Sequence, residues 1–482
     1  MTRRAWVRLD NASNIFLAAR TDADSKVFRI SAELDHEIDP QLLQEALDTT
    51  YDRYRLYHAV LRSGVFWYYL QDSDLRPVVT AEVEPTCSAI YQPGRRTLLF
   101  RVVHHRHRVA LEVFHALADG TGALWFLSDL IAAYTRLREA VDDPSFAENS
   151  GTTDRQSGSG QADVETAPDE RAEPQHELPP DSFAHYFHRR RRRAAPASES
   201  AFSRAAAPAA LTVSGGTLSA RGGTDEAGRL RRRVASKVYR VSGTRSPDRR
   251  TRAVELTMPT TDVLALARAE GVALTMYLTA VFFESIRRSS GGLGRAGTLA
   301  ASVPVNLRQF FPSTSPRNFF ATIRVQHTFG VGDDDLGTLC RELDSQFQPK
   351  ASPDALEKKI RKFIRLERMP VLRIMPRPGK DVILRLVNWH TNRGLSIAVS
   401  NLGRIELPEP AQTHVKRMLF HVSAARPQLC AVSHAGLLTI SFTSPFTETD
   451  HVKEFARHLT ASGVDVRVGA ARVTEAELAE ER

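Results

Sequence analysis

At 482 residues and 42% apolar, the chain can bury one large core or two of ordinary size, yet it has no apolar run long enough to span a membrane. The formal charge of +9 favours acidic partners, and the charged start Met-Thr-Arg-Arg-Ala-Trp argues against a secretory leader. Three scattered cysteines, Cys87, Cys340 and Cys430, have no metal-ligand spacing and read as buried small apolar groups in a reduced, cytoplasmic protein.

From residue 1 to 141, strand and helix patterns alternate. Val27–Leu34 is predicted as a strand, Pro40–Tyr54 as a helix opened by Asp39-Pro40, and Gly64–Leu70 as an aromatic strand. Thr97–Val103 and Val109–Phe114 read as strands joined by the polar turn His104–Arg108. Leu124, Leu127, Leu130, Ile131 and Tyr134 then recur at helical spacing, predicting an amphipathic helix over Gly122–Arg138.

From 142 to 236 the composition turns to Ser, Gly, Pro, Ala and charge. Such a stretch buries too little apolar surface to offset its ordering entropy, so a disordered insert is expected, dispensable for chemistry. Phe183, Tyr186 and Phe187 are expected to form a short docking helix within it. The insert carries Arg189–Arg193 and Arg231–Arg233 beside Ala, Pro and Gly rather than among aromatics that stack bases. Nucleic acid is therefore not an expected partner.

Order returns near Val238-Tyr-Arg-Val241, and 237–482 reads as a second unit. Helices are predicted at Thr260–Glu270, Thr275–Arg288 (strongly apolar and buried), Asp335–Gln346, Asp354–Arg368 and His451–Ala461. Strands are predicted at Thr298–Val305, Phe320–Thr328, Leu395–Ser400, Met418–Ser423 and Leu437–Phe442. Helices interleave with strands in both halves, which predicts two layered α/β subdomains of similar plan, 1–141 and 237–482.

The run Glu112-Val-Phe-His-Ala-Leu-Ala-Asp-Gly-Thr-Gly122 spells His-x-x-x-Asp-Gly between a strand and a helix. A bare His-x-x-x-Asp is expected roughly once by chance here, and the glycine and the flanking elements make the match far rarer. A histidine at a glycine-bearing strand end can be held rigidly yet face a cavity, as a general base must. The same pattern also suits a histidine closing a buried strand and an aspartate N-capping a helix. His104, His105 and His107 lie in a turn with no carboxylate or cysteine to complete a site, so no metal is expected.

Two further strings accompany this motif, Ala301-Ser-Val-Pro-Val-Asn-Leu-Arg308 and Leu395-Ser-Ile-Ala-Val-Ser-Asn-Leu-Gly403. With them the chain resembles the condensation-domain and chloramphenicol-acetyltransferase-like acyltransferase superfamily, in its bacterial alcohol-acetyltransferase-like branch. The likeness runs in order from Asn11-Ala-Ser-Asn-Ile-Phe16 to about Phe446, interrupted by the insert. The Asp-Phe-Gly-Trp-Gly string of the plant branch is absent, and Ser-Asn-Leu-Gly stands in its place.

The resemblance implies two subdomains with an active-site tunnel between them and His115 midway. It implies acyl transfer from a thioester, acyl-coenzyme A first, to an alcohol or amine, with His115 as general base. Coenzyme A enters as substrate and no cofactor is expected. By the same likeness Asp119 points away from substrate and pairs with an arginine, here Arg308, to hold the loop of His115; a surface charge is the other reading of Arg308. Gly120 could offer its N–H to an oxyanion. Asn306, Ser400, Asn401 and Gly403 are candidates for the tunnel and substrate region. An acidic carrier protein as donor, or a non-catalytic interaction protein keeping the fold, are the alternatives. A monomer is expected.

Overall fold

The computed structural model describes residues 6–21, 24–142, 183, 237–245, 250–293, 297–367 and 375–470. In the N-terminal half come β1 (Trp6–Arg8), α1 (Asn11–Ala19), β2 (Val27–Leu34), α2 (Pro40–Arg53), β3 (Ala59–Ser63), β4 (Tyr68–Asp72), β5 (Thr80–Ala81), β6 (Phe100–His105), β7 (Arg108–Phe114) and α3 (Gly120–Asp142). The C-terminal half has β8 (Arg252–Pro259), α4 (Thr260–Ala269), α5 (Leu274–Ser289), β9 (Thr298–Asn306), β10 (Phe320–Thr328), α6 (Leu336–Ala351) and α7 (Pro353–Glu367). It continues with α8 (Arg377–Arg393), β11 (Ile397–Arg404), α9 (Ala411–His414), β12 (Val415–Val422), β13 (Gln428–His434), β14 (Leu437–Ser444), α10 (Asp450–Ala461) and β15 (Arg467–Ala470).

The C-terminal half is built on a seven-stranded mixed sheet in the order β10-β9-β11-β13-β14-β8-β15. The N-terminal half is built on a five-stranded sheet, β12-β2-β7-β6-β5, with a small β1-β4-β3 sheet beside it. Helices α2 and α3 pack together over one core, and α5 is buried within the other, packed against α6 and α10. No single described helix is long and apolar enough to cross a membrane.

Local chemistry explains several of these elements. Asp39 caps α2, its carboxylate accepting from the Gln41 and Leu42 amides at 2.9 and 3.1 Å, with Pro40 supplying a helical φ. Strands β2 and β7 pair in register, so Arg29 lies opposite Glu112. Glu112 is fully buried, and Arg29 Nε (2.8 Å), Arg101 Nε (2.6 Å) and the Cys87 amide (2.7 Å) donate to it. A buried carboxylate needs such partners, and these anchor the strand that leads to His115.

One strand crosses between the halves. β12 follows β11 in sequence but pairs antiparallel with β2, Phe420 facing Ile30. The boundary expected at 237 thus separates chain segments rather than sheets. Gly64–Leu70 also divides differently from expectation. Gly64 donates to the Trp67 carbonyl at 2.8 Å, closing a turn, and the strand runs over Tyr68–Asp72 against β3. Short aromatic runs favour strands but do not locate their turns.

Most of the 142–236 insert, including Tyr186, Phe187 and both arginine runs, lies outside the described residues. Phe183 is described, and it is buried in the C-terminal core, edge-on to Phe319 with ring centroids 5.1 Å apart. Excising all of the segment would therefore remove a core aromatic. Phe183→Ala should lower stability by about 3–5 kcal/mol, the usual cost of emptying a buried aromatic site. Denaturant unfolding measures this, and an unchanged midpoint would show that the contact contributes nothing.

Candidate active site

Strand β7 ends at Phe114, and the His115 amide donates to the Lys26 carbonyl at 2.8 Å, so the backbone of the motif is pinned before its side chain emerges. The imidazole is half-buried. Phe16 of α1 stacks on it, with centroids 4.0 Å apart and planes 10° off parallel. Phe28 meets it edge-on at 4.9 Å, and Phe320 closes the third side at 5.7 Å.

Asn318, absent from the sequence-based candidates, fixes the ring. Its Oδ1 lies 3.2 Å from His115 Nδ1, and its Nδ2 donates to the His115 carbonyl at 2.7 Å and to Ser13 Oγ at 2.8 Å. The two donor bonds of Nδ2 identify Oδ1 as the acceptor, so Nδ1 carries the proton. Nε2 then keeps its lone pair, and among the described residues nothing hydrogen-bonds to it. Burial among the rings pushes the His115 pKa down to about 4. Hydrogen bonds from the ring to its own backbone and to Asn318, with the nearby Asp119 charge, oppose that shift.

The linkage has a definite sign. The unfolded chain takes up a proton on this histidine near pH 6.5, and the folded protein does so only near 4. The unfolded state therefore binds more protons in that window, and stability falls as pH drops from about 6.5 towards 4. At neutral pH the ring is uncharged and ready to accept a proton.

Asp119 satisfies two readings at once. Its Oδ1 accepts from the Gly122 amide at 2.9 Å, an N-cap of α3. Its Oδ2 accepts from Arg308 Nη1 at 2.7 Å and from the Phe319 amide at 2.8 Å. Both side chains of the ion pair are more than nine-tenths buried. Arg308 Nη2 donates to the Ser315 and Arg317 carbonyls at 2.8 and 2.6 Å, so one guanidinium gathers the motif loop and the 315–319 segment. That segment carries Asn318. Asp119 and Arg308 thus act on His115 through the residue that orients it.

Close approach requires one glycine and crowds another. A Cβ on Gly122 would sit 2.0 Å from the Pro316 carbonyl oxygen, where neither backbone can yield. On Gly120 it would lie 2.7 Å from Leu402 Cδ2. Leu402 belongs to the Ser400-Asn401-Leu402-Gly403 string of β11, which therefore reaches the start of α3. Gly403 adopts φ +80°, and its amide donates to Asn401 Oδ1 at 2.8 Å. Asn401 Nδ2 turns away to Thr275 Oγ1 of α5 at 3.1 Å. Ser400 pairs in register with Cys430 on β13 and is half-buried. Asn306, at the end of β9, donates to Thr121 Oγ1 at 3.1 Å and caps the turn of Arg308. The structure thus brings His115, Asp119, Gly120, Asn306 and Arg308 to one junction of the halves, and Asn401 braces the strand that covers it.

Asp10 completes the support. Its Oδ1 caps α1 through the Ser13 amide at 2.7 Å, and its Oδ2 takes Arg317 Nη2 at 3.3 Å. Phe16 and Ser13 are held in place by that cap. His104, His105 and His107 do not form a ligand group with carboxylates among the described residues.

Asn318→Asp should place a negative charge beside Nδ1 and raise the His115 pKa. The acid limb of kcat/KM should move to higher pH, whereas Asn318→Ala should lower kcat and move that limb, if at all, to lower pH. Unaltered profiles in both variants would show that Asn318 only fills space.

No family model matches the chain, and no curated protein matches it in sequence. Its fold does match solved structures. Polyketide synthase associated protein 5 from Mycobacterium tuberculosis aligns over 95% of this chain and 98% of its own, at 12% identity and a TM-score of 0.55. The first condensation domain of the calcium-dependent antibiotic synthetase, solved with a substrate analogue, aligns over 97% and 99%, at 14% identity and 0.54. Trichothecene 15-O-acetyltransferase from Fusarium sporotrichioides aligns over 95% and 94%, at 10% identity and 0.54. The chain has the fold of condensation-type acyltransferases across nearly its whole length.

Proposed function

We propose that this condensation-type fold carries an acyltransferase that moves an acyl group from a thioester, acyl-coenzyme A first, to an alcohol or amine. The observation that carries the reading is His115: a neutral imidazole, half-buried among aromatic rings, whose Nδ1 is bonded to Asn318 and whose Nε2 has no hydrogen-bond partner among the described residues. In this reading Nε2 takes the proton from the acceptor O–H or N–H as that atom attacks the thioester carbonyl carbon. The new bond forms while the carbonyl oxygen becomes an oxyanion, for which the Gly120 amide is the candidate donor. Collapse breaks the C–S bond, and the proton on Nε2 passes to the leaving thiolate. The imidazolium formed meanwhile donates from Nδ1 to Asn318 Oδ1, with the Asp119 charge nearby.

Such proton transfer typically contributes ~10²–10⁴ in rate, and alignment of two substrates at the junction of the halves supplies much of the rest. The test is release of free thiol from acetyl-coenzyme A and longer acyl-coenzyme A esters, with and without alcohol and amine acceptors. Release that depends on an acceptor supports transfer. No release with any donor and acceptor would favour an interaction protein that keeps the fold. The likeness to condensation domains favours one second reading, an acyl group delivered on an acidic carrier protein. Turnover with an acyl-carrier protein but not with coenzyme A esters would select it.

A further inference from the structure

A second cluster of titratable side chains lies far from His115, where the C-terminal segment docks on the N-terminal half. Asp35 and His36 follow β2, Glu139 sits on α3, and His414 ends α9 just before the crossing strand β12. His36 Nδ1 is 2.7 Å from Asp35 Oδ1, and His414 Nδ1 is 3.2 Å from both Asp35 oxygens. His414 Nε2 is 3.3 Å from Glu139 Oε1. One ligand atom from each of Asp35, His36 and His414 lies within 4.8 Å of the others. A cleft opens between them, bordered also by Thr135 and by Arg138, which is paired with Asp142.

With neutral imidazoles, hydrogen bonding alone does not satisfy this cluster. A neutral imidazole has a single N–H, yet His414 faces a carboxylate from each ring nitrogen, so one contact would set a lone pair against an oxygen. The buried Nε2 of His36 has no partner at all. A metal ion resolves the first conflict. His414 Nδ1 and Asp35 would direct lone pairs at it, with His414 Nε2–H donating to Glu139, the usual carboxylate support behind a ligating histidine. Bond lengths of about 2.0–2.2 Å place tetrahedral ligand atoms ~3.3 Å apart, close to the spacings around Asp35.

We propose that Asp35, His36 and His414 bind one divalent transition-metal ion of the zinc, cobalt or nickel kind, with Glu139 supporting His414, and that the ion clips β12 to the N-terminal half. Imidazole and carboxylate ligands suit these ions. Lys416, 3.6 Å from Asp35 and mostly exposed, can swing clear. The eight-residue strand β2 separates this cluster from the His115 end of the sheet, about 25 Å at ~3.3 Å per residue. The ion therefore has a structural role, outside the proposed chemistry.

The test uses tag-free, full-length protein stripped with a chelator and titrated with Co²⁺ and Zn²⁺. The expected results are saturation near one ion per chain, visible d–d bands of bound Co²⁺, and a melting temperature that rises with metal. His36→Ala and His414→Ala should lose both signals while keeping acyl transfer, and Glu139→Gln should weaken binding about 10–100-fold. No cobalt spectrum in the wild type, or binding retained in the double His36→Ala/His414→Ala variant, would overturn the site. A melting temperature that ignores metal would overturn it too, leaving the contacts of His414 with Asp35 and Glu139 as hydrogen bonds only.

Discussion

His115→Ala is expected to reduce acyl transfer by at least ~10²–10⁴ while the protein stays folded. The ring is half-buried, and its contacts are with Phe16, Phe320 and Asn318 and, at the margin of the N-terminal core, with Phe28. Its loss also strands little. Asn318 keeps its bonds to the residue 115 carbonyl and to Ser13, and only its Oδ1 loses a partner. Thiol release and thermal melting should be measured on the same preparation. Full turnover would remove His115 from the mechanism. A collapsed melting temperature would mean that the histidine serves the fold, and rescue by added imidazole would then separate chemistry from packing.

Asp119→Asn should be the most destabilising of the substitutions around the site. The carboxylate receives the Gly122 amide, the Phe319 amide and Arg308, and the ion pair is almost wholly removed from water. Asparagine keeps one acceptor but turns an NH₂ towards donors, leaving the guanidinium buried without its counter-charge. Breaking one partner of such a pair typically costs ~3–5 kcal/mol. Arg308→Ala should cost a similar amount, since it also frees the Ser315 and Arg317 carbonyls. The double variant should lose much less than the sum, because the second removal relieves the charge stranded by the first. Strictly additive losses in denaturant unfolding would show that the two residues act separately. Both single variants should also lower kcat, because the 315–319 segment they hold carries Asn318.

Much of this architecture is legible in the sequence where side-chain periodicity is strong. β2 and β10 have the predicted bounds, and the helices at 260, 274, 336, 353 and 450 begin within two residues of expectation. The Asp119 contact with Arg308 follows from the resemblance rather than from spacing, since 189 residues separate the pair. Other elements are not legible for physical reasons. β13, Gln-Leu-Cys-Ala-Val-Ser-His, is a central strand almost entirely buried, so it shows no alternation. α8 opens on Arg377-Pro-Gly, a loop signal. It has no buried residue, and it leaves Val382, Leu386, Val387 and Trp389 exposed, so its pattern does not mark an inward face. The crossing of β12 to β2 is a long-range pairing that no local pattern encodes.

The site shows the same division. His115 stands out because its motif joins a strand to a helix within a few residues. Asn318 and Ser13 come from segments 203 residues downstream and about a hundred upstream, and they come together only where α1 and the 315–319 segment meet at the ring. Phe16 lies in the first string of the resemblance, but its stacking on the imidazole depends on the Asp10 cap and Arg317.

The central claim is that His115 works as a neutral base, and the pH profile of kcat/KM for acceptor-dependent thiol release tests it most directly. With the ring's pKa held near 4, activity should stay level from neutral pH down to about 5 and then fall with a single proton. An acid limb at the ordinary imidazole value of about 6.5, or one that persists unchanged in His115→Ala, would contradict the claim.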